Sequence, residues 1–337
     1  MTKILLTGGS GFIAAHILEL LVQRGHEVVT TVRSEDKAAK IREAHPNTKL
    51  EVVIVPDIAK PDAFDEVVKT PGLEVVLHTA SPFHFNWTDP KTELLDPALI
   101  GTTSILKAVK KSAPGVKRVV VTSSFASILS EAGLADPKKV FSEADWNPST
   151  YEDGLKGSKA TSYRVSKTLA EKAAWDFVEK ERPNFDLATI CPPLVFGPIV
   201  HHLNSLSAIN TSNQRFVDLI QGKFKEEIPV TGVFFWVDVR DVALAHVEAF
   251  ERQEAGGKRF FTTAGKFNNR EIVAAVRKNF SDLKDKLPSE DVKGGGYPEG
   301  GVYGYDNSRA TKELGINWIS IEKSSVDTVK SLLEVGA

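Results

Sequence analysis

A short apolar strand, Lys3-Ile4-Leu5-Leu6-Thr7, runs directly into Gly8-Gly9-Ser10-Gly11 and then into a segment with apolar residues at helical spacing, Phe12, Ile13, Ile17, Leu20 and Leu21. Gly8 suits a tight turn, Gly11 lacks the Cβ that would block a pyrophosphate, and Ala14 in place of a third glycine is small enough for close helix–strand packing. The free N–H groups and positive end of such a helix face an anion. A glycine pattern alone also describes an ordinary surface turn. Between a strand and an amphipathic helix it predicts a dinucleotide site with Thr7, Gly8 and Gly11 in its phosphate-binding turn.

The same alternation continues. Apolar runs at Glu27–Val32, Glu51–Val55, Glu74–His78 and Lys117–Thr122 are separated by helix-length segments. Strands apolar on nearly every residue imply a parallel sheet covered on both faces, so the expected fold is α/β, a Rossmann-type doubly wound sheet. A helical stretch from about Lys159 to Lys180 and a strand at Asp186–Cys191 extend it. Beyond Pro192 the pattern turns irregular, with breaks at Pro192-Pro193, Gly197-Pro198 and Gly294-Gly295-Gly296. Residues 1–191 are therefore read as mainly the nucleotide domain and 192–337 as mainly a smaller substrate lobe, with about 239–265 returning to the first and making the lobes discontinuous in sequence.

A dinucleotide carrying no 2′-phosphate usually meets Asp or Glu at the end of the second strand. Here that strand ends Thr31-Val32-Arg33-Ser34, and a guanidinium pairs with a 2′-phosphate, so NADP(H) is the expected cofactor. Lys37, one turn on, either adds a second cation or is a solvated helix lysine. Asp57, with Ile58 beside it, either borders the adenine or caps a helix.

Tyr163 and Lys167 stand four apart in a helical pattern and so share a face. A tyrosine with an ordinary pKa of about 10 needs a nearby cation to serve in acid–base chemistry near neutrality. Lys167 supplies one and can also hold a cofactor ribose. The spacing alone also fits an exposed helix pair, but of the five tyrosines only Tyr163 has a lysine four residues later. Thr122-Ser123-Ser124 ends the preceding strand, where ligands of open parallel sheets bind, and Ser124 is read as the hydroxyl that reaches a carbonyl oxygen with Tyr163. The competing role of either serine is to satisfy backbone groups at the strand end.

The Thr7–Ala14 turn, the Thr-Ser-Ser strand end and the Tyr-x-x-x-Lys helix together resemble extended short-chain dehydrogenases. With His78-Thr79-Ala80-Ser81-Pro82-Phe83, Trp146-Asn147-Pro148, Glu171-Lys172-Ala173-Ala174-Trp175, Phe196-Gly197-Pro198 and Val237–Ala243, the chain is similar nearly end to end to the fungal methylglyoxal/isovaleraldehyde reductase group and its dihydroflavonol reductase-like relatives. That resemblance implies a catalytic Ser124, Tyr163 and Lys167, reduction of aldehydes or ketones with NADPH, and cofactor contacts from Phe12, Ile13, Thr79, Ala80, Ser81, Pro192 and Val195, besides Tyr163 and Lys167. The Asn-Trp-Tyr-Cys-Tyr-Gly-Lys signature of cinnamoyl-CoA reductases is absent, which argues against a CoA thioester, and Pro193-Leu194 departs from many relatives. Phe83, Phe85, Phe125 and Leu194 all follow strand ends or cofactor-facing segments, so they are expected to wall the substrate pocket; the alternative for such aromatics is ordinary core.

A formal charge of −2 with mixed signs gives no basic stripe for nucleic acid or an anionic membrane, so the expected partner is a small-molecule carbonyl compound and the expected state a monomer or homodimer. The single Cys191 excludes an intrachain disulfide, and no signal segment or membrane-length apolar run is seen, so the expected location is cytoplasmic. No metal site is expected: His201-His202 are adjacent and lack a partner at ligand spacing. His78 reads as a satisfied histidine rather than a base, and Asp238, Arg240 and Asp241 as caps and ion pairs. The same fold also serves nucleotide-sugar epimerases or dehydratases and non-catalytic NADP(H) sensors. The aligned Tyr163 and Lys167 speak against a sensor, and Arg33 against a tightly retained cofactor.

Overall fold

A computed structural model describes residues 1–46, 48–81, 87–200, 206 and 209–337. In chain order its strands are β1 Lys3–Thr7, β2 Glu27–Val32, β3 Leu50–Ile54, β4 Val75–His78, β5 Arg118–Thr122, β6 Val140–Phe141, β7 Asp186–Cys191, β8 Leu194–Phe196, β9 Phe235–Asp238, β10 Lys258–Phe261, β11 Gly265–Lys266 and β12 Gly304–Tyr305. The helices are α1 Phe12–Gln23, α2 Glu35–Ala44, α3 Asp96–Ser112, α4 Glu131–Leu134, α5 Tyr151–Lys156, α6 Lys159–Glu181, α7 Gln214–Ile220, α8 Val239–Glu251, α9 Asn269–Asn279, α10 Ser308–Glu313 and α11 Ile321–Glu334.

Seven strands form one parallel sheet in the order β10-β7-β5-β4-β1-β2-β3. The period-2 alternation of a strand sends Ile4 and Leu6 to one face and Leu5 to the other, and each face has its own apolar layer. Ile17, Leu18 and Leu21 of α1 cover the first with Val242, Ala245 and Ala249 of α8. Ile105, Leu106 and Val109 of α3 cover the second with Ala174 and Phe177 of α6. Strand order reverses between β1 and β4, and in such sheets the crevice at that reversal, beyond the carboxyl ends of the strands, is the ligand site.

After Cys191 the chain leaves this sheet, and it returns through α8 and β10. The excursion and the later chain build a three-stranded sheet, β11-β9-β8, and a third apolar cluster in which Phe196, Phe216, Trp236, Phe267, Val276 and Leu332 are buried. Asp238 accepts the Arg240 N–H at the start of α8 and pairs with the Arg240 guanidinium, which also meets Asp327, while Asp241 accepts from the Ile319 N–H. These charges tie α8 to the C-terminal segment.

Candidate active site

The glycine turn is built as its residue types require. Gly8 has φ +77°, a left-handed conformation open to glycine, and a Cβ there would come 3.1 Å from the Ala80 backbone. Gly11 precedes α1 without any side-chain cap, which leaves the first N–H groups of the helix pointing into the crevice. Thr7 locks the turn to the next strand end: its hydroxyl accepts the Ala80 N–H, and its carbonyl accepts from the Thr79 hydroxyl at 2.6 Å.

Opposite this turn stands α6. Ser158 caps its first turn by accepting the Thr161 N–H, and the helix stops at Arg182, in the left-handed region at φ 41°, just before Pro183. Tyr163, Lys167 and Glu171 lie on consecutive turns of one face. The Ser124 hydroxyl hydrogen-bonds Tyr163; burial pushes the phenol pKa up and this bond opposes the shift. Lys167 donates to the Ser81 hydroxyl at 2.8 Å, and burial lowers its ammonium to about 8. Ser123 faces the other way, donating to Glu171, so the two neighbouring serines are separated by direction.

Gly8, Gly11, Phe12, Ile13, Thr79, Ser81, Ser124, Tyr163, Lys167, Pro192 and Val195 line one cavity of about 310 Å³, a size suited to a small-molecule site. Ala14, Thr122, Ser123, Pro193, Asn210, Thr211 and Ser212 complete it. The last three lie in a polar loop whose composition reads only as turn, and no sequence signal marked them. Ala80 touches the turn through its backbone. At the far end of the crevice Arg33 is exposed beside Lys37, whose pKa is lowered by burial and then by the Arg33 charge. Neither cation meets a carboxylate among the described residues. Two adjacent cations without a counter-charge among the described residues fit the 2′-phosphate of NADPH, and a helix start with no side-chain cap fits its pyrophosphate. Asp57 closes a local turn by accepting the Ala59 N–H at 2.9 Å, and half-buried Ile58 packs on the apolar layer under β4.

The expected pocket wall is corrected at two residues, Phe125 and Leu194. Phe125 is 2% exposed and packs in a buried cluster with Phe141, Phe235, Phe261 and Tyr303, stacked on Phe261 at 5.2 Å between centroids. Ser124 is extended at φ −162°, so the next side chain turns away from the cavity. Leu194, on β8, packs half-buried against the third apolar cluster and is not among the cavity residues. Phe83, Phe85 and the His201-His202 pair lie outside the described residues.

Fold and site together define a dinucleotide-binding α/β protein with a Ser-Tyr-Lys constellation. The chain belongs to the NAD dependent epimerase/dehydratase family, which residues 4–263 match. It is 47% identical to the ketoreductase azaE of Aspergillus niger over 98% of both chains, and 36% identical to the NADPH-dependent methylglyoxal reductase GRE2 of Saccharomyces cerevisiae, again over 98% of each. Among solved structures it is similar to yeast methylglyoxal/isovaleraldehyde reductase Gre2 complexed with NADPH, with a TM-score of 0.92, 35% identity and coverage of 99% of this chain and 98% of that one. The likeness to the fungal methylglyoxal reductase group read from the motifs holds at this level.

Proposed function

We propose that this protein reduces aldehydes or ketones to alcohols with NADPH. The observation that carries the reading is the Ser124–Tyr163 hydroxyl pair in the cavity wall across from the glycine turn, with Lys167 one helical turn from the tyrosine. When bound, the dihydronicotinamide supplies hydride to the carbonyl carbon. Ser124 and Tyr163 hold the carbonyl oxygen from one side, and Tyr163 gives it a proton. Burial keeps the phenol protonated until that moment, and the Lys167 ammonium stabilises the phenolate that remains. The alkaline limit of the reaction should lie near the value of about 8 to which burial brings Lys167. Arg33 and Lys37 give the 2′-phosphate its contact and set the preference for NADPH over NADH. The one cysteine, buried Cys191, forms no intrachain disulfide, in keeping with work in a reducing compartment such as the cytoplasm.

The test follows loss of dihydronicotinamide absorbance with a panel of aldehydes, α-ketoaldehydes, β-ketoesters and aryl ketones. The expected result is carbonyl-dependent oxidation of NADPH in preference to NADH. No oxidation with any member of the panel would sink the proposal.

A further inference from the structure

His78 ends β4 directly behind the catalytic lysine and is 2% exposed. Phe64 packs edge-on against its ring. Its Nδ1 lies 2.9 Å from the Thr7 hydroxyl, whose oxygen already accepts the Ala80 N–H. No other acceptor is present for the Thr7 hydroxyl proton among the described residues, so that proton points at Nδ1. Burial, then the charge of Lys167, hold the imidazole down to about 3, so the ring is neutral and carries its single proton on Nε2. That Nε2 is buried and has no protein partner among the described residues. It belongs to the wall of a second, smaller cavity of about 20 Å³, shared with Ser81, Thr122, Ser123, Lys167 and Glu171.

A polar void of that volume holds one water molecule. Glu171 does not compete for Nε2–H or Lys167, because its carboxylate is engaged by Ser123, Ser127, Thr189 and Arg259. Lys167 donates one of its three N–H groups to Ser81. We propose that His78 holds a single buried water against the Lys167 ammonium, making His78 a positioning residue for the catalytic lysine and the water the lysine's partner on the side away from substrate. The water oxygen accepts from Nε2–H and from Lys167, and its own hydrogens meet the hydroxyl oxygens in the cavity wall. By accepting from the ammonium it favours the charged form that burial disfavours. Among the described residues, the titratable groups facing Lys167 are Tyr163 and the Arg259-paired Glu171 from its own helix and His78 from β4; α3, β5 and the residue after β5 present the uncharged Thr102, Thr122 and Ser123.

The site itself is new to the molecule, but its catalytic consequence rests on the reductase reading, so the experiment has two arms. A high-resolution crystal structure of the NADPH complex should show one ordered water between His78 Nε2 and Lys167 Nζ; a dry cavity there overturns the proposal whatever the protein's activity. In the second arm, His78→Asn keeps a polar atom near the Nδ1 position for Thr7 but loses the Nε2 donor, whereas His78→Gln reaches the Nε2 position and loses the Thr7 contact. The alkaline limb of the kcat/KM profile should move down by roughly half a pH unit or more in His78→Asn and stay near the parent in His78→Gln. A purely structural role for the Thr7 contact predicts the reverse order. An unmoved limb in His78→Asn, or an equal shift in both, also overturns it. Failure of the reductase reading shows separately, as a parent protein that oxidises no NADPH, and the diffraction arm then decides the water site alone.

Discussion

Two neighbouring stretches of α6 bury charge in opposite ways. Glu171 is enclosed completely, and burial alone would raise its pKa; the Arg259 guanidinium and the Ser123 and Ser127 hydroxyls bring it below the usual carboxylate value instead. Arg259 is itself held by the Glu143 and Asp145 carbonyls and lies 3.6 Å over the Trp146 ring. One turn earlier, Lys167 has Ser81 as its protein partner and no carboxylate among the described residues, and its pKa falls to about 8. The saturated cluster fastens α6 to β5, β7 and β10 through Ser123, Thr189 and Arg259. The lean one keeps a proton exchangeable. Rigid placement comes from satisfying every polar group, and reactivity from leaving one short of partners, with only a helical turn between them.

The sharpest break of that contrast comes at the lean end. Tyr163→Phe should lower kcat by roughly 10² to 10⁴-fold while NADPH binding, measured by fluorescence titration, stays near the parent, because the change deletes the proposed proton donor and little else. Parent-level reduction by this variant would remove Tyr163 from the chemistry. At the saturated end the loss should be stability. Arg259→Leu leaves the Glu171 carboxylate buried without its cation, at a cost of about 3–5 kcal/mol in urea unfolding, and the further change Glu171→Leu should recover much of it. Unfolding of Arg259→Leu at the parent's urea midpoint would show that the cluster does not fasten the helix.

Further out, Arg33→Asp should cost roughly tenfold or more of the affinity for NADPH relative to NADH, with the fold intact because Arg33 is exposed. An unchanged ratio of dissociation constants would place the 2′-phosphate elsewhere. The smallest effect is expected at Asp241, where burial raises the carboxyl to about 7 from an ordinary value of 3.8. A raised folded-state pKa means stability that is present in full below about pH 4 and lost as pH rises through 7. Asp241→Asn, neutral throughout, should therefore raise Tm over the parent at pH 8 and lose that advantage by pH 4. An equal difference at both pH values would mean that the carboxyl titrates normally.

What the sequence determined by itself was whatever depends on the backbone's own period. Strands buried on both faces must be apolar along their length, so the runs at Lys3–Thr7, Glu27–Val32 and Asp186–Cys191 matched β1, β2 and β7 residue for residue. A helix sets residues four apart side by side, so Tyr163 and Lys167 were legible as a pair, and a strand ending in glycine before a helix was legible as a phosphate turn. Only the tertiary structure decided what meets across the chain. Phe125 adjoins Ser124 in sequence, yet extended backbone points the two apart and the ring joins an aromatic core drawn from β6, β9 and β10. Asn210, Thr211 and Ser212 reach the cavity from a loop that carries no periodic signal. His78, read as satisfied, is paired at Nδ1 alone among the described residues, and Glu171 found its cation 88 residues away. Spacing along the chain is fixed by local geometry, whereas the partners of a buried charge are fixed by which strands stack against its helix, and no window of sequence contains that.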